Sequence, residues 1–316
     1  MGFVTVCITY FNERELLTQC LDSLATQSLP PDEILIYDDA SEHRPRSYVP
    51  KDLTVRIIRG EQNRGPAYGR NVLLEASLSD YVHFHDADDW FDPEWCRRVR
   101  QAAAQQPDVD VVFTELASYR ADGLHATDVI GLKRLLHDPD LLAFAIDAVL
   151  LTDCGTYRKA FVVSAGGYST QFWQSEDYEF HIRLAAAQPS FTVIAEPLVS
   201  KRLHDACRSN DQAACLRDLV KSLETFSREL PARYRDRICQ RLAGAACGLF
   251  RLGDRTSAAG AFDLARSLGK PSFREERFVF RVLAGTLGPE FAIRAGNAYR
   301  SVLPQAARRW VASQGV

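Results

Sequence analysis

The sequence predicts an α/β domain with a mostly parallel sheet and helices on both faces, followed by an all-helical C-terminal region. Runs with strand and helix periodicity alternate through the first hundred residues. Several of the strand-like runs end on acidic side chains. Beyond residue 210 the strand patterns stop, and Ala, Arg and Leu recur at helical spacing. A β-α-β order is typical of parallel sheets covered by helices.

The first hundred residues contain four strand-like and three helix-like runs. In chain order they are a strand at FVTVCITY, a helix from Glu13 to Gln27, strands at EILIYDD and LTVRIIRG, a helix at GPAYGRNVLLEAS, a strand at DYVHFHD and a helix at DPEWCRRVRQAAAQQ. We expect Asp92 to cap the last of these helices and Pro93 to take its first position. Ligands of such sheets bind beyond the carboxyl ends of the strands, so the polar strand ends should meet at one edge.

The stretch HFHDADDWFDP, residues 83–93, places four carboxylates directly after a predicted strand. Like charges at this distance repel unless hydrogen bonds, water or a cation offset them. Asp86 and Asp88, one residue apart, can bind a hard cation through oxygen and leave positions open for phosphate oxygens. A calcium-binding EF-hand loop is excluded, because Trp90 and Phe91 stand where an oxygen ligand and a glycine are required. The alternative is a structural Asp-rich turn that caps the following helix.

Composition predicts a large core and a main domain with an appendage, since 46% of the 316 residues are hydrophobic. No apolar run approaches the roughly 20 residues that span a bilayer, and the N-terminus lacks the features of a signal peptide, so we expect a cytoplasmic protein. The eight cysteines include no C-x-x-C pair. We also expect none of them to stand near a histidine at zinc-ligand spacing. We interpret them as reduced, mostly buried thiols, in preference to disulfides or a structural metal site.

The charge is unevenly distributed. Residues 1–200 carry 17 basic and 30 acidic side chains, whereas residues 201–316 carry 21 and 11. The basic segment could contact an anionic lipid or acceptor, although solvated helix faces explain it equally well. Nucleic acid is not expected as a partner, because no aromatic-interleaved basic motif or zinc-finger spacing is present.

Five motifs occur in a characteristic order, and together they indicate a family. They are ITYFNE, IYDDAS, NRGPAYGRN, HDADDW and AGGYSTQFWQSEDYEFHIRL. In this order and spacing, the chain from about residue 3 to about residue 205 resembles the family 2 glycosyltransferases of the GT-A fold. The resemblance implies a GT-A domain at 1–208, with a nucleotide-binding half at 1–115 and an acceptor and catalytic half at 116–208, and a helical extension at 209–316.

The resemblance also assigns the metal site. It implies an inverting enzyme that uses Mn²⁺ or Mg²⁺ to bind a nucleotide-sugar donor. Asp88 would be the direct metal ligand, and Asp86 would bind the metal, the donor ribose or both. His204 matches a histidine that many family members hold near the metal and the diphosphate. A structural role is the alternative for this lone histidine.

Five further residues match the nucleotide site of the family. Asp39 corresponds to the acceptor of the uracil N–H, while Thr9 and Phe11 line the base pocket and Glu13 closes the same polar strand end. The family often has Pro and Tyr in place of Thr9 and Phe11, and a phenyl ring still stacks on a base. Arg70 could reach the diphosphate or the base, and the alternative is a solvated helical arginine.

The run QSEDYEFHIRLAAA predicts a helix with Ser175 at its N-cap and Glu176 and Asp177 in its first turn. The helix dipole favours acidic residues there whatever the function, and it should keep them ionised. By resemblance, Asp177 is the catalytic base that deprotonates the acceptor hydroxyl. Phe172 and Trp173, just before this helix, could stack on a saccharide acceptor, and core packing is the alternative for at least one of them.

Three functions fit the motifs. The first is a glycosyltransferase that moves a sugar from a UDP-sugar to a hydroxyl of a glycan or lipid-linked saccharide, as in cell-surface polysaccharide synthesis. The second is a nucleotidyltransferase, which the absence of a glycine-rich phosphate loop after the first strand disfavours. The third is an inactive scaffold protein, which has no need to retain the carboxylates of Asp39, Asp86, Asp88 and Asp177.

The C-terminal region is predicted to be helical to its end. Its last stretch carries several basic residues and a tryptophan, namely Arg294, Arg300, Arg308, Arg309 and Trp310. These side chains could lie on an anionic membrane surface and bring the enzyme to a lipid-linked acceptor. Core capping or contact with another subunit is the alternative.

Overall fold

A computed structural model describes residues 2–272, 284, 288–289 and 291–295. The chain divides into two compact units, Met1–Asn210 and Asp211–Val316. The sequence placed the end of its first domain at residue 208, and the two halves predicted within that domain remain a prediction.

The first unit alternates strands and helices as the sequence predicts. Its elements are β1 (Val4–Tyr10), α1 (Glu15–Ala25), β2 (Glu33–Asp38), β3 (Arg56–Arg59), α2 (Pro66–Ala76), β4 (Tyr81–Asp86), β5 (Trp90–Phe91), α3 (Trp95–Gln105), β6 (Val111–Arg120), β7 (Gly123–Ala126), α4 (Leu141–Asp147), β8 (Gly155–Arg158), α5 (Lys159–Ser164), α6 (Glu176–Ala186) and β9 (Phe191–Arg202). Most of these elements are short, as expected of strands and helices that pack in layers.

The strands form one mixed sheet in the order β3-β2-β1-β4-β8-β6-β9-β5, with β7 paired to β6. The pairs β1–β2, β1–β4, β2–β3 and β6–β9 are parallel. Strand β8 runs antiparallel to both β4 and β6, and β5 and β7 also pair antiparallel. The predicted α/β class is confirmed, and the parallel arrangement is continuous only in the N-terminal part of the sheet.

The strand register brings the predicted polar strand ends to one edge. Thr9 of β1 pairs with Tyr37 of β2 and with Asp86 of β4. Tyr10 pairs with Asp38. The carboxyl ends of three adjacent parallel strands therefore lie side by side, which is the position where such sheets bind ligands.

Buried aromatic rings fix the start of α6 against the sheet. Phe180 of α6 stacks on Tyr168 with ring centroids 4.0 Å apart, and Phe84 of β4 meets Tyr168 edge-on at 5.2 Å. Tyr157 of β8 contacts Phe180 at 5.5 Å. Such pairs add about 0.5–1.5 kcal/mol each beyond their area burial, so the first turn of α6 is held rigidly.

Helix α3 begins at Trp95, two residues later than predicted. The carbonyl oxygens of Asp92 and Pro93 are used in tertiary contacts, with Gln27 Nε2 and with the backbone N–H of Ser28 at 2.8 Å. The Asp92 carboxylate accepts from the N–H of Glu94 at 2.9 Å, so it stabilises the turn before the helix. Local propensity favoured an earlier start, and tertiary hydrogen bonds override it.

The second unit is helical, as predicted, over the described residues. It contains α7 (Gln212–Glu229), α8 (Arg235–Arg251) and α9 (Arg255–Leu268). Its core combines small, aliphatic and aromatic side chains, namely Ala246, Cys247, Leu249, Phe250, Ala258, Ala261, Phe262 and Ile293. No helix among the described residues has the length and hydropathy needed to cross a bilayer. Of the predicted membrane-contact residues, Arg300, Arg308, Arg309 and Trp310 lie outside the described residues.

Candidate active site

The turn that follows β4 carries the acidic cluster. Asp86 ends the strand, and its carboxylate, 33% exposed, accepts from Arg70 Nη2 at 2.8 Å. Its backbone N–H donates to Asp153 Oδ1 at 2.9 Å. Burial by itself would raise the pKa of Asp86, but the cations of Arg70 and Lys201 lower it to about 2. Asp86 is therefore ionised at neutral pH.

Asp89 turns inward, away from the edge. It is buried and accepts from the backbone N–H of Arg202 at 2.7 Å, and Lys201 Nζ lies 3.6 Å from its carboxylate. Burial raises the pKa of Asp89 well above its ordinary value, and burial also raises that of Asp153, to about 7. The buried Asp89 thus attaches the acidic turn to β9. Asp86 and Asp88 stay accessible to solvent.

Asp88 contacts His204, which lies far from it in the sequence. His204 Nε2 lies 2.9 Å from Asp88 Oδ2, although 116 residues separate them. The side chains are 26% and 20% exposed, so the pair is accessible to solvent. The hydrogen bond to Asp88 raises the pKa of His204, and burial opposes this shift. Asp88 and His204, two of the three predicted metal-site residues, are therefore neighbours.

Arg70 lies at the centre of the site. Its guanidinium is 1% exposed and donates to Asp86 Oδ1 and to Glu176 Oε1, each at 2.8 Å. It also lies 5.0 Å from the centre of the Tyr168 ring. Burial alone would lower the pKa of Arg70, and the two carboxylates raise it well above its ordinary value. The alternative of a solvated helical arginine is wrong, because this guanidinium is a buried bridge between two carboxylates.

The first turn of α6 carries the predicted catalytic pair, with Ser175 at the N-cap position. Glu176 is buried, whereas Asp177 is half-buried. The Asp177 carboxylate accepts from the N–H of Tyr178 at 2.8 Å. The helix dipole was expected to favour the ionised form, but burial and then the charge of Glu176 raise the pKa of Asp177 to about 7. That pKa suits a general base at neutral pH better than an ordinary aspartate.

A buried hydrogen-bond chain supports this turn. His181 Nδ1 lies 2.7 Å from the main-chain oxygen of Asp177, and its Nε2 lies 2.7 Å from the hydroxyl of Tyr157. Burial lowers the pKa of His181 to about 4. The ring is neutral, so it donates to Asp177 and accepts from Tyr157.

The loop after β1 brings Glu13 beside the acidic turn. Its carboxylate accepts from the backbone N–H of Phe11, whose ring is 45% exposed. Burial raises the pKa of Glu13 to about 7, and the charges of Asp88 and Asp86 contribute to the rise. Phe11 and Glu13 therefore lie at the same edge as the predicted metal ligands.

Asp39 lies two strands away from the acidic turn. Its carboxylate accepts from the N–H groups of Arg64, at 2.9 Å, and Gly65, at 2.8 Å. Burial raises its pKa, although these two donors oppose the shift. The Trp173 ring covers Gly65, since a Cβ built there would lie 3.0 Å from the ring, and Trp173 is 54% exposed. Phe172, by contrast, is 8% exposed.

Four contributors to the site were not identified from the sequence. They are Asp153, Lys201, Cys207 and Arg208, of which Arg208 donates to both oxygens of Glu176 at 3.0 and 3.1 Å. Asp153 lies in a short segment that shows no helix or strand periodicity. Lys201 and Arg208 lie in a basic segment that is typical of solvent-exposed residues. Cys207 did carry a signal. It follows His204 in an H-x-x-C spacing, so the expectation that no cysteine stands near a histidine at zinc-ligand spacing is wrong.

The site combines two half-buried carboxylates at a strand end, a buried arginine and a half-buried aspartate on α6, and this arrangement can be compared with known proteins. Residues 5–161 match the model of Glycosyl transferase family 2. This segment is about half of the chain. The comparisons therefore indicate a transferase of the family 2 glycosyltransferase type, as the five motifs predicted.

A relative and two solved structures extend the match. An uncharacterized glycosyltransferase of Haemophilus influenzae is 29% identical over 205 residues, 64% of this chain and 68% of the relative. Residues 1–349 of S. aureus TarS in complex with UDP-GlcNAc match with a TM-score of 0.64 at 16% identity, over 95% of this chain and 92% of that one.

The second structure is a mannosyltransferase from Pyrobaculum calidifontis in complex with GDP-Man and Mn²⁺. It matches with a TM-score of 0.60 at 17% identity, over 99% of this chain and 84% of the other. At these identities the structures support the GT-A-like fold.

Proposed function

We propose that this protein is an inverting, metal-dependent glycosyltransferase. It transfers a sugar from a nucleotide-sugar donor, a UDP-sugar, to a hydroxyl of a glycan or lipid-linked saccharide in cell-surface polysaccharide synthesis. The donor diphosphate binds at the acidic turn, and the acceptor hydroxyl binds at the first turn of α6.

One observation carries this proposal. The buried Arg70 joins Asp86 of the acidic turn to Glu176, the neighbour of Asp177, with two hydrogen bonds of 2.8 Å. A displacement reaction needs a leaving-group site and a base at a fixed separation, because misplacement by about 1 Å can cost 10²-fold in rate. A bridge of this kind fixes both ends, whereas a binding scaffold has no need for it.

The donor nucleotide occupies the ends of β1 and β2. Phe11 offers an exposed ring for the base, and Thr9 lies in register beside Asp86. Each oxygen of Asp39 accepts one backbone N–H, which leaves lone pairs for the N–H of a uracil. Glu13 closes the pocket toward the acidic turn. Asp86 accepts from a ribose hydroxyl or ligates the metal.

The residues of the acidic turn fit a hard divalent cation. Asp88 and Asp86 present carboxylate oxygens, and His204 presents an imidazole nitrogen next to Asp88. Such a set suits Mn²⁺ or Mg²⁺. When bound, the ion supplies positive charge to the leaving diphosphate. Arg208, 42% exposed and next to Glu176, is a further cation close to the reacting groups.

Asp177 accepts the proton of the acceptor hydroxyl. Its pKa of about 7 keeps a large fraction ionised at neutral pH and still gives the carboxylate useful basicity. The acceptor oxygen then attacks the anomeric carbon from the side opposite to the diphosphate, and the configuration inverts. Trp173, exposed beside Gly65, offers a stacking surface for a saccharide.

Turnover of a donor panel tests the proposal. Purified protein is incubated with Mn²⁺ and UDP-, GDP-, dTDP- and CMP-sugars, and release of the nucleotide is followed with wild type and Asp177→Asn. We expect release from a UDP-sugar by the wild type, a loss of about 10²–10⁴-fold in the variant, and unchanged donor binding by the variant. Equal turnover by both proteins would refute the role of Asp177, and no release from any donor would favour an inactive scaffold.

A further inference from the structure

A thiol stands next to the pair formed by Asp88 and His204. One ligand atom from each of Asp88, His204 and Cys207 lies within 4.8 Å of the other two. All three side chains are half-buried, so they are shielded and still accessible to solvent. His204 and Cys207 are three residues apart, which is a spacing at which two side chains of one turn can share an ion.

The backbone holds these three side chains in place before any ion binds. Arg202, two residues before His204, donates its N–H to Asp89 at 2.7 Å and its Nε to the main-chain oxygen of Asp88 at 3.1 Å. The N–H of Cys207 donates to the oxygen of His204 at 3.1 Å. These bonds fix the turn of His204 and Cys207 against the acidic turn.

The sulfur of Cys207 accepts a hydrogen bond that a thiolate would also use. The N–H of His204 donates to Cys207 Sγ at 3.5 Å, and this donor opposes the rise in pKa that burial causes in the free thiol, so the thiolate requires the charge of the bound cation. The thiol itself donates to the main-chain oxygen of Arg202 at 3.6 Å. When a metal–sulfur bond forms, the S–H bond breaks and its proton passes to water.

The donor set of one carboxylate, one imidazole and one thiolate differs from an all-oxygen site. Zn²⁺ accepts these three ligand types in four-coordinate geometry, with metal–ligand distances of roughly 2.0–2.3 Å. Ligand atoms of one such ion are then roughly 3–4 Å apart, and here all three lie within 4.8 Å of one another, so a small shift of the side chains would close the site. Mg²⁺ and Mn²⁺ prefer oxygen, and a soft thiolate favours zinc over them.

We propose that Asp88, His204 and Cys207 form a zinc site, with one open position, that excludes Mn²⁺ or Mg²⁺ from the acidic turn. Zinc binding by the three side chains goes beyond the proposed function. Inhibition of sugar transfer by zinc rests on the proposed function, because it requires that Asp88 serve the catalytic ion.

Co²⁺ is the probe for this site, since a cysteine thiolate bound to Co²⁺ gives a near-ultraviolet charge-transfer band. The full-length reduced protein is titrated with Co²⁺ without nucleotide. We expect a band that saturates at one equivalent, is lost in Cys207→Ser and is abolished when Zn²⁺ is added. Cys215→Ser, which changes the other half-buried cysteine, and Asp205→Asn, an exposed acid of the same turn, should keep the band.

The outcomes separate the two proposals. A wild-type protein without the band, or a band that survives in Cys207→Ser, overturns the zinc site. His204→Gln gives a second check, because it should weaken Co²⁺ binding at least about tenfold. Zinc should also inhibit Mn²⁺-supported turnover, at a concentration that rises at least about tenfold in Cys207→Ser. A Cys207-dependent band in a protein that turns over no donor would leave the zinc site standing and refute the proposed function alone.

Discussion

Arg70 Nη1 donates to Glu176 Oε1 at 2.8 Å, although 106 residues separate them in the chain. Both side chains are almost fully buried, at 1% and 3% exposure. The second arm of the same guanidinium reaches Asp86. The contact ties the end of β4 to α6, the helix of the proposed catalytic base, so we expect it to affect both stability and reactivity.

Removal of this guanidinium should destabilise the protein strongly. Arg70→Ala leaves Glu176 buried without one of its partners, and the loss of one partner of a buried ion pair costs about 3–5 kcal/mol. Chemical denaturation should show this loss in the free energy of unfolding. Arg97→Ala is the matched control, because Arg97 forms a solvent-accessible ion pair with Glu94 at the start of α3, and its loss should cost less than about 1 kcal/mol. Equal effects of the two variants would contradict the bridging role.

Arg70→Lys separates charge from geometry. A lysine keeps the positive charge but lacks the planar fork that reaches two carboxylates. We expect it to recover part of the unfolding free energy and little of kcat, because Asp86 and Asp177 lose their fixed separation. Full recovery of kcat by lysine would show that only the charge at this position matters.

The pH dependence of turnover should report Asp177. Its pKa is raised to about 7, and only the ionised form can accept a proton. The value of kcat/KM should therefore fall as pH drops below about 7, with a slope that approaches tenfold per pH unit. Above this pH it should reach a plateau. A profile that stays flat between pH 5.5 and 8 would contradict the assignment of the base.

Gly69 should be intolerant of any side chain. A Cβ at this position would lie 2.6 Å from the Tyr37 ring and 3.1 Å from the Thr9 methyl group. Gly69→Ala must displace α2 from the proposed nucleobase pocket. We expect a loss of about 1–3 kcal/mol in the free energy of unfolding and a higher KM for the donor. Gly244→Ala is the control, since a Cβ there meets nothing within 4 Å and should stabilise helix α8 by up to about 1 kcal/mol. Similar thermal stabilities of the two variants would refute the close approach of Gly69 to Tyr37 and Thr9.

The sequence predicted the strand ends well because apolar runs closed by charge are local signals. Strand register then places Thr9 beside Asp86 without further information. The partner of Arg70 could not be predicted, since nothing local distinguishes a helical arginine in solvent from one that meets a glutamate 106 residues away. Strand β8 was missed for a related reason. Its four residues are too short to show a period, and its position between β4 and β6 depends on pairing over a long range.

The pKa values of the site residues could not be predicted from the local sequence either. A helix N-terminus favours a charged Asp177, but the burial that overrides the dipole arises from the packed structure around α6. The same holds for Asp89, whose buried contact with Lys201 distinguishes it from Asp86 and Asp88, the two half-buried aspartates of the same turn.

Calorimetric titration with UDP, with Mn²⁺ and with EDTA, tests the central claim most directly. The wild type should bind UDP only when Mn²⁺ is present, and Asp88→Ala should bind it at least about tenfold more weakly. Asp205→Asn, the exposed acid next to His204, should bind it like the wild type. Equal binding of UDP with Mn²⁺ and with EDTA, or unchanged binding by Asp88→Ala, would contradict the metal-dependent donor site.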